Sequence, residues 1–357
     1  MCNDTNITFS AMSTTGLPVL YGLMFLPSAT GNLISLWIFS RLGRRSSTHI
    51  YLINLAISNM VVTTGMPFQI YFYAYALYMP YKSIECSIVL QTTNILTHCS
   101  MCVSITIFCW IAISRYATLV RYKERAQDIS SSTYEKIIFG QILKAFRNPK
   151  IAGYLCVCVW IAFLFPTFTL FLFKNNSELD NCCSFEAEFG QEKSQISSVT
   201  QSTCFFFFFF IVLLFYGFFI KHIKKLQTNS CIDEKHLVHQ RVKKNIAVIM
   251  VLLLVTFAPY HLIKFFLVGQ YYSWECQELR VLTEIKNCCL CLAEFRSCTD
   301  PIVYFCLDES FQKTIQRFLQ RNATGQKEDS NMNRLTNTQT PTVTGRVMAT
   351  TANESCG

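Results

Sequence analysis

Long apolar stretches recur along this chain and alternate with segments into which the basic residues are crowded. The stretches cover residues 17–40, 50–73, 86–116, 151–173, 198–221, 245–268 and 281–306. About twenty apolar residues in an α-helix match the hydrocarbon thickness of a bilayer. In that layer no water is available to backbone N–H and C=O groups, so a spanning segment must satisfy them internally. Lys and Arg gather at 41–45, 115–150 and 221–244, while the intervening segments are nearly free of them. That bias marks the loops on the inner side. The sequence therefore predicts an all-α membrane protein, a seven-transmembrane helix bundle with its N-terminus outside.

Composition agrees and excludes other classes. The chain is 51% hydrophobic and only 15% charged, too apolar for an ordinary soluble domain. Its net charge of +9 sits in the inner segments and argues against nucleic acid as a partner. Most of the 18 cysteines fall inside apolar spans, where a thiol behaves as a small hydrophobe. The pairs Cys99/Cys102 and Cys288/Cys291 have C-x-x-C spacing but lie far apart in sequence; they read as packing, with no metal and no cofactor. No nucleophile–base set or phosphate loop points to an enzyme. A transporter or channel is the competing class. It would show internal repeats or broken helices in corresponding halves, and the sequence presents neither.

The flanking segments have characters of their own. Residues 1–16 are polar, carry sequons at Asn3 and Asn6, and lack a basic n-region. They read as a short glycosylated outer tail, with the first span as signal anchor. The loop 174–195 has a third sequon at Asn175, an acidic bias and the pair Cys182-Cys183. The stretch 117–150 is basic and reads as an inner loop, as does 221–244. The unbroken run from Phe205 to Phe210 reads as lipid-facing bulk. Residues 308–320 place Phe311, Ile315, Phe318 and Leu319 on one face, with Lys313 and Arg317 around it. That spacing predicts a short amphipathic eighth helix lying against membrane lipid. The tail 322–357 is rich in Thr, Asn and Gln without apolar periodicity, so disorder is expected there, on the cytoplasmic side.

The spans also hold residues that are expensive in lipid. Asp300 needs partners away from water, and Pro301 beside it removes a helix hydrogen bond. Arg296 lies about one turn before Asp300. It pairs either with Asp300 or with Glu294 and trapped water, and both arrangements are open. Nearer the outer side, Lys264 stands about one turn beyond His261, and Lys286 about four turns before Asp300. Two ammonium groups and an imidazole at the mouth of a bundle suit a phosphate or carboxylate group. The alternative is that both lysines snorkel to interfacial water. His98, Asn94 and Tyr260 are further pocket candidates, each as readily a packing contact.

Taken together, Asn32, Ser114-Arg115-Tyr116, Trp160, Pro259 and Asp300-Pro301-Ile302-Val303-Tyr304 resemble the motifs of rhodopsin-like, or class A, G-protein-coupled receptors. The resemblance covers residues 17–320. Phe257-Ala258-Pro259-Tyr260-His261, Met66-Pro67-Phe68 and the outer cysteines Cys2 and Cys276 are similar to its purine-receptor-like branch. This implies a multi-pass receptor of the plasma membrane. It would pass an extracellular signal, an anionic small molecule or lipid, to heterotrimeric G proteins, with arrestin and receptor kinases meeting the C-terminal tail. Arg115, Tyr116, Tyr216 and Tyr304 then match positions for G-protein coupling and activation. Lys264 and Lys286 match ligand-contacting positions of the branch, with His98, Tyr260 and His261 beside them. Asn32, Asn59, Arg296 and Asp300 form the polar core. The resemblance also implies disulfides joining Cys86 to Cys182 or Cys183, and Cys2 to Cys276.

Departures from the family pattern carry expectations too. Ser114 stands where the family has an acid before the arginine, and His239 where an acidic partner for it often sits, so Arg115 lacks its neighbouring carboxylate and the family's usual lock. Asn59 replaces the acid that binds sodium in most members. Span five lacks its customary proline, and Cys86 lies about one turn further from Arg115 than usual.

Overall fold

The computed structural model describes residues 10–42, 45–75, 84–124, 134–172, 192–227, 244, 247–270, 276–318 and 320. Among them no strand occurs. The helices are α1 (Leu17–Arg41), α2 (Ser47–Tyr75), α3 (Ile84–Glu124), α4 (Tyr134–Phe146), α5 (Pro149–Leu172), α6 (Glu192–Gln227), α7 (Ala247–Gly269) and α8 (Cys276–Leu307). All except α4 correspond to the seven spans. Five helices are long and apolar enough to cross a membrane by length and composition alone, six if α4 and α5 are counted as one bent span. The last span, α8, is not among them because it carries Glu278, Arg280, Glu284, Lys286, Glu294, Arg296 and Asp300. Its inner charges are buried while Phe295 and Ile302 face outward. Lipid therefore meets the apolar side, and the bundle interior takes the charge. Residues up to Phe311 form one compact unit, and those from Gln312 a second.

Helices in lipid gain little from apolar burial against each other, so close packing and hydrogen bonds hold the bundle. Small residues make the close approaches. Ser58 Oγ bonds the Ser100 carbonyl and lies 2.9 Å from Ser104 Oγ, joining α2 to α3. Ser28 Oγ lies 2.5 Å from Thr63 Oγ1, joining α1 to α2. At Gly31 an added Cβ would stand 2.9 Å from the Pro301 ring, so α1 and the kinked part of α8 meet only because Gly31 has no side chain. Trp160 Nε1 donates to Asn54 Oδ1 at 3.1 Å, which fixes α5 against α2.

Several features differ from the sequence reading. A π-helical turn, Met12–Gly16, precedes α1, so helix begins inside the segment read as polar tail. The Ser10 hydroxyl caps it by accepting the Ser13 N–H, while the Ser10 N–H donates to Glu284 Oε1 of α8. Cys276, placed in a loop by the sequence, is the first residue of α8. The inner loop 117–150 contains α4, which meets α5 at a bend of 79°. The cause is local. Pro149 disfavours helix at Asn148, whose side-chain Oδ1 instead accepts the Lys150 N–H and starts α5. In α7 a π-helical turn, Leu253–Phe257, ends with the Ala258 N–H bonded to the Leu253 carbonyl. Widening the helix just before Pro259 accommodates the missing donor and the bulk of its ring.

The Phe205–Phe210 run is also not wholly lipid-facing. Phe207 and Phe210 are exposed, but Phe205 is 1% exposed and packs inward. Six consecutive residues cover more than one full turn at 3.6 residues per turn, so some must face the bundle.

Candidate functional site

The polar core lies where α1, α2, α3, α7 and α8 converge. Asp300 is fully buried and accepts from Arg296 Nη1 and, at 2.8 Å, from Asn59 Nδ2. Arg296 therefore pairs with Asp300 and not with Glu294. Its second amino group donates to Ser104 Oγ at 2.9 Å. The guanidinium is sandwiched between the Phe108 and Phe257 rings, at 5.6 and 5.2 Å from their centroids. Asn59 Nδ2 also lies 3.1 Å from Asn32 Oδ1 and 3.0 Å from the Tyr304 hydroxyl. Asn32 in turn donates to the Ser28 and Ser297 carbonyls. The sequence-predicted residues Asn32, Asn59, Arg296, Asp300 and Tyr304 thus share one network. Ser104, Phe108 and Phe257 belong to it as well, and nothing in their residue types announces that.

A second cluster occupies the end of the bundle that holds Lys264 and Lys286. Both lysines are only 5% exposed. Lys264 Nζ donates to Gln201 Oε1 at 3.0 Å and lies over the Tyr260 ring. Tyr260 stacks on His98 with centroids 6.0 Å apart. His261 Nδ1 lies 3.3 Å from Ser202 Oγ, and its ring stacks on Phe205 at 4.5 Å. Its Nε2 is buried without a hydrogen-bond partner. Lys264, His261 and Lys286 all act electrostatically on His98. The five candidates His98, Tyr260, His261, Lys264 and Lys286 are therefore one group, and Phe205, Gln201 and Ser202 are members that the sequence did not single out. Deeper in this half, Glu294 Oε1 accepts from Gln69 Nε2 at 2.7 Å and from Thr97 Oγ1 at 3.0 Å.

At the opposite end, Arg115 Nη2 donates to the Leu307 carbonyl at the last residue of α8. A cationic donor suits the open carbonyls of a helix C-terminus. Tyr116 is buried and meets Phe215 of α6 edge-on at 5.5 Å. Tyr216 is half-buried on α6. Ser114, where the family has an acid, is buried with its hydroxyl 3.2 Å from Ser47 Oγ.

Beside this stands an arrangement the sequence reading missed. The Ser46 hydroxyl accepts the His49 N–H while His49 Nδ1 accepts the Ser46 N–H. This is a reciprocal cap on α2, with histidine in the place usual for Glu or Gln. With Nδ1 an acceptor, Nε2 carries the proton and donates to Asp308 Oδ2 at 2.9 Å. Asp308 Oδ1 accepts the Phe311 N–H and so caps the helical residues 309–318. Phe311 packs on Phe39 and Tyr304. Burial pushes the Asp308 carboxyl up, but the hydrogen bonds from His49 and the Phe311 N–H, with nearby positive charge including Arg115, hold it below the ordinary carboxylate value. The available signals were Ser46-x-x-His49 and Asp308 directly before an apolar periodic stretch.

Asn3, Asn6, Asn175, Cys2, Cys182 and Cys183 lie outside the described residues, as do the side chains of Cys86, Cys276 and Asn94.

Residues 31–304 match the family 7 transmembrane receptor (rhodopsin family). The chain is 37% identical over 324 residues to Probable G-protein coupled receptor 82 of Mus musculus, covering 89% of this chain and 98% of that protein. It is 22% identical over 322 residues to Probable G-protein coupled receptor 34 of Pan troglodytes, covering 89% and 79%. To a purinoceptor of Homo sapiens it is 23% identical over 310 residues, covering 84% and 77%. A helical bundle with charges turned inward, a family match over most of its length and these relatives agree: the chain belongs to the rhodopsin family of seven-transmembrane receptors, in its purine-receptor-like branch.

Proposed function

We propose that this receptor sits in the plasma membrane with its N-terminus outside and binds an extracellular anionic ligand, a phosphate- or carboxylate-bearing small molecule or lipid. It passes that signal to heterotrimeric G proteins through the end that holds Arg115, and its C-terminal tail is the contact for arrestin and receptor kinases. The observation that supports the ligand class is the burial of Lys264 and Lys286 around one aromatic and imidazole cluster. Snorkelled lysines would extend to water; these two are enclosed. Enclosed ammonium groups gain most from a charged acceptor.

The test begins with a screen of anionic lipids and nucleotides on cells that express the receptor, read by G-protein activation. Lys264→Gln and Lys286→Gln should each weaken the agonist found by about 1.5–3 kcal/mol, the range for hydrogen bonds to charged groups. Unchanged potency in both variants at normal surface expression would sink the anion reading.

A further inference from the structure

Three carboxylates are buried among the described residues: Glu294, Asp300 and Asp308. Asp300 has Arg296 against it, and Asp308 has the His49 imidazole. Glu294 has neither. Its Oε1 takes the Gln69 and Thr97 hydrogen bonds, both from neutral groups. Its Oε2 is buried with no hydrogen-bond partner at all. A half-satisfied carboxylate shut away from water is among the costliest arrangements in a protein interior. A proton on Oε2 would be a buried donor with no acceptor, and a proton on Oε1, shared with the Thr97 hydroxyl, still leaves Oε2 without a partner. Arg296, two residues on and so about half a turn away on the same helix, is committed to Asp300 and Ser104.

The position matters as much as the deficit. Gln69 and Thr97 put Glu294 between α2 and α3, in the half of the bundle that holds the lysine cluster. Thr97, which bonds Glu294, is next in sequence to His98, which stacks on Tyr260, and Tyr260 carries Lys264 above its ring. Lys286 lies on the same helix as Glu294, about 12 Å higher by rise alone. Basic groups in one half of the bundle, with an acid that lacks a cation beneath them, suit a ligand carrying both charges. An intramembrane acid without a protein counter-ion commonly takes one from a ligand.

We infer that Glu294 is the counter-ion for an ammonium group on the ligand, so that the occupant is a zwitterion: its anion meets Lys264 and Lys286, and its ammonium meets Glu294 Oε2. The inference rests on the anion reading given above for the lysines. A phosphate and an ammonium on a short linker can come from a free head group or from a lysophospholipid, and the test separates the two sources.

Purified receptor is titrated with two matched pairs, each differing only in the amine. One pair is O-phosphoethanolamine and ethyl phosphate; the other is 1-oleoyl lysophosphatidylethanolamine and 1-oleoyl lysophosphatidylethanol. Thermal stabilisation is the readout. Wild type should bind the amine-bearing member of one pair about tenfold or more tightly, as expected for a charge-assisted hydrogen bond. The pair that responds identifies the source. Glu294→Gln should keep binding and lose the preference. Gln69→Lys, which places a tethered ammonium beside Glu294, should lose it too and serves if Glu294→Gln fails to fold. Wild type that binds neither pair, or both members of each pair alike, overturns the inference, as does a preference that survives Gln69→Lys. Lysine variants that leave affinity unchanged while Glu294→Gln abolishes the preference would refute the anion reading and, with it, the zwitterion, leaving only the Glu294–ammonium contact.

Discussion

Arg296 is the residue in which the sequence signal and the geometry coincide most closely. A cation and an acid one turn apart inside an apolar span are too costly to keep without partners. The structure supplies them in Asp300, Ser104 and two aromatic faces. A buried pair of this kind adds little net stability over apolar residues of the same size, but removing one member strands the other at a cost of about 3–5 kcal/mol. Arg296→Met should therefore lower the thermal midpoint of purified receptor sharply. The same guanidinium bears on sodium. In most of the family an acid on the second span helps hold the ion; here Asn59 is neutral and Arg296 already occupies Asp300. A cation entering beside the guanidinium would meet a like charge at short range in low dielectric, repelled by several kcal/mol. Exchange of sodium for choline at constant ionic strength should leave wild-type stability and basal signalling unchanged. A sodium-specific shift in the wild type would contradict this placement of the charge.

At the scale of elements, the ends of helices decide more than their interiors. The Ser46–His49 cap on α2 and the Asp308 cap, which accepts the Phe311 N–H, are linked by one hydrogen bond. Because Asp308 is held below its ordinary value in the folded chain, its stabilisation is fully present above the unfolded carboxylate value of about 4 and is lost as pH falls through the lower folded value. Asp308→Asn should lower the stability by about 1–2 kcal/mol at pH 7, and the gap to wild type should close as pH falls below the ordinary carboxylate value in a thermal-unfolding series. A gap independent of pH would show that shape, and not charge, holds the cap.

The polar core was legible because Asn32, Asn59, Arg296 and Asp300 are conspicuous in apolar spans. Phe205 was not, because a run of six identical residues hides its own phase on the helix. Nor were the two π-helical turns, since hydropathy is insensitive to a one-residue change in hydrogen-bond register. The helix α4 was masked by basic residues that read as loop, although Asn148-Pro149 marks the bend that separates it from α5. Glu294 was visible as a charge, but its partners Gln69 and Thr97 come from two other helices, a relation that no single-span pattern contains.

For the whole molecule, the question is what restrains Arg115. The family's usual restraint is an acid beside the arginine, and this chain has Ser114 there. The structure provides a different tie: Arg115 reaches α8 and bonds the Leu307 carbonyl, next to the Asp308 cap. Helix α3 is thereby fastened to the end of α8. A donor bond from a guanidinium to a neutral carbonyl is weaker than one to a carboxylate, so a carboxylate placed beside Arg115 would draw it from Leu307. Receptors of this kind pass between two global states, and a bias in that equilibrium appears directly as basal output. Ser114→Asp tests the argument. The new carboxylate would compete with Leu307 for Arg115, and a charge-assisted bond worth about 1.5–3 kcal/mol shifts such an equilibrium by about tenfold or more. Basal G-protein activation, measured in cells at matched surface expression, should fall accordingly, while Ser114→Asn, similar in size but uncharged, should leave it near wild type. If both variants behave alike, the size of the side chain at Ser114 governs the effect and the missing charge does not. If Ser114→Asp raises basal output, the Leu307 bond is itself the principal restraint, and drawing Arg115 away from it opens the receptor.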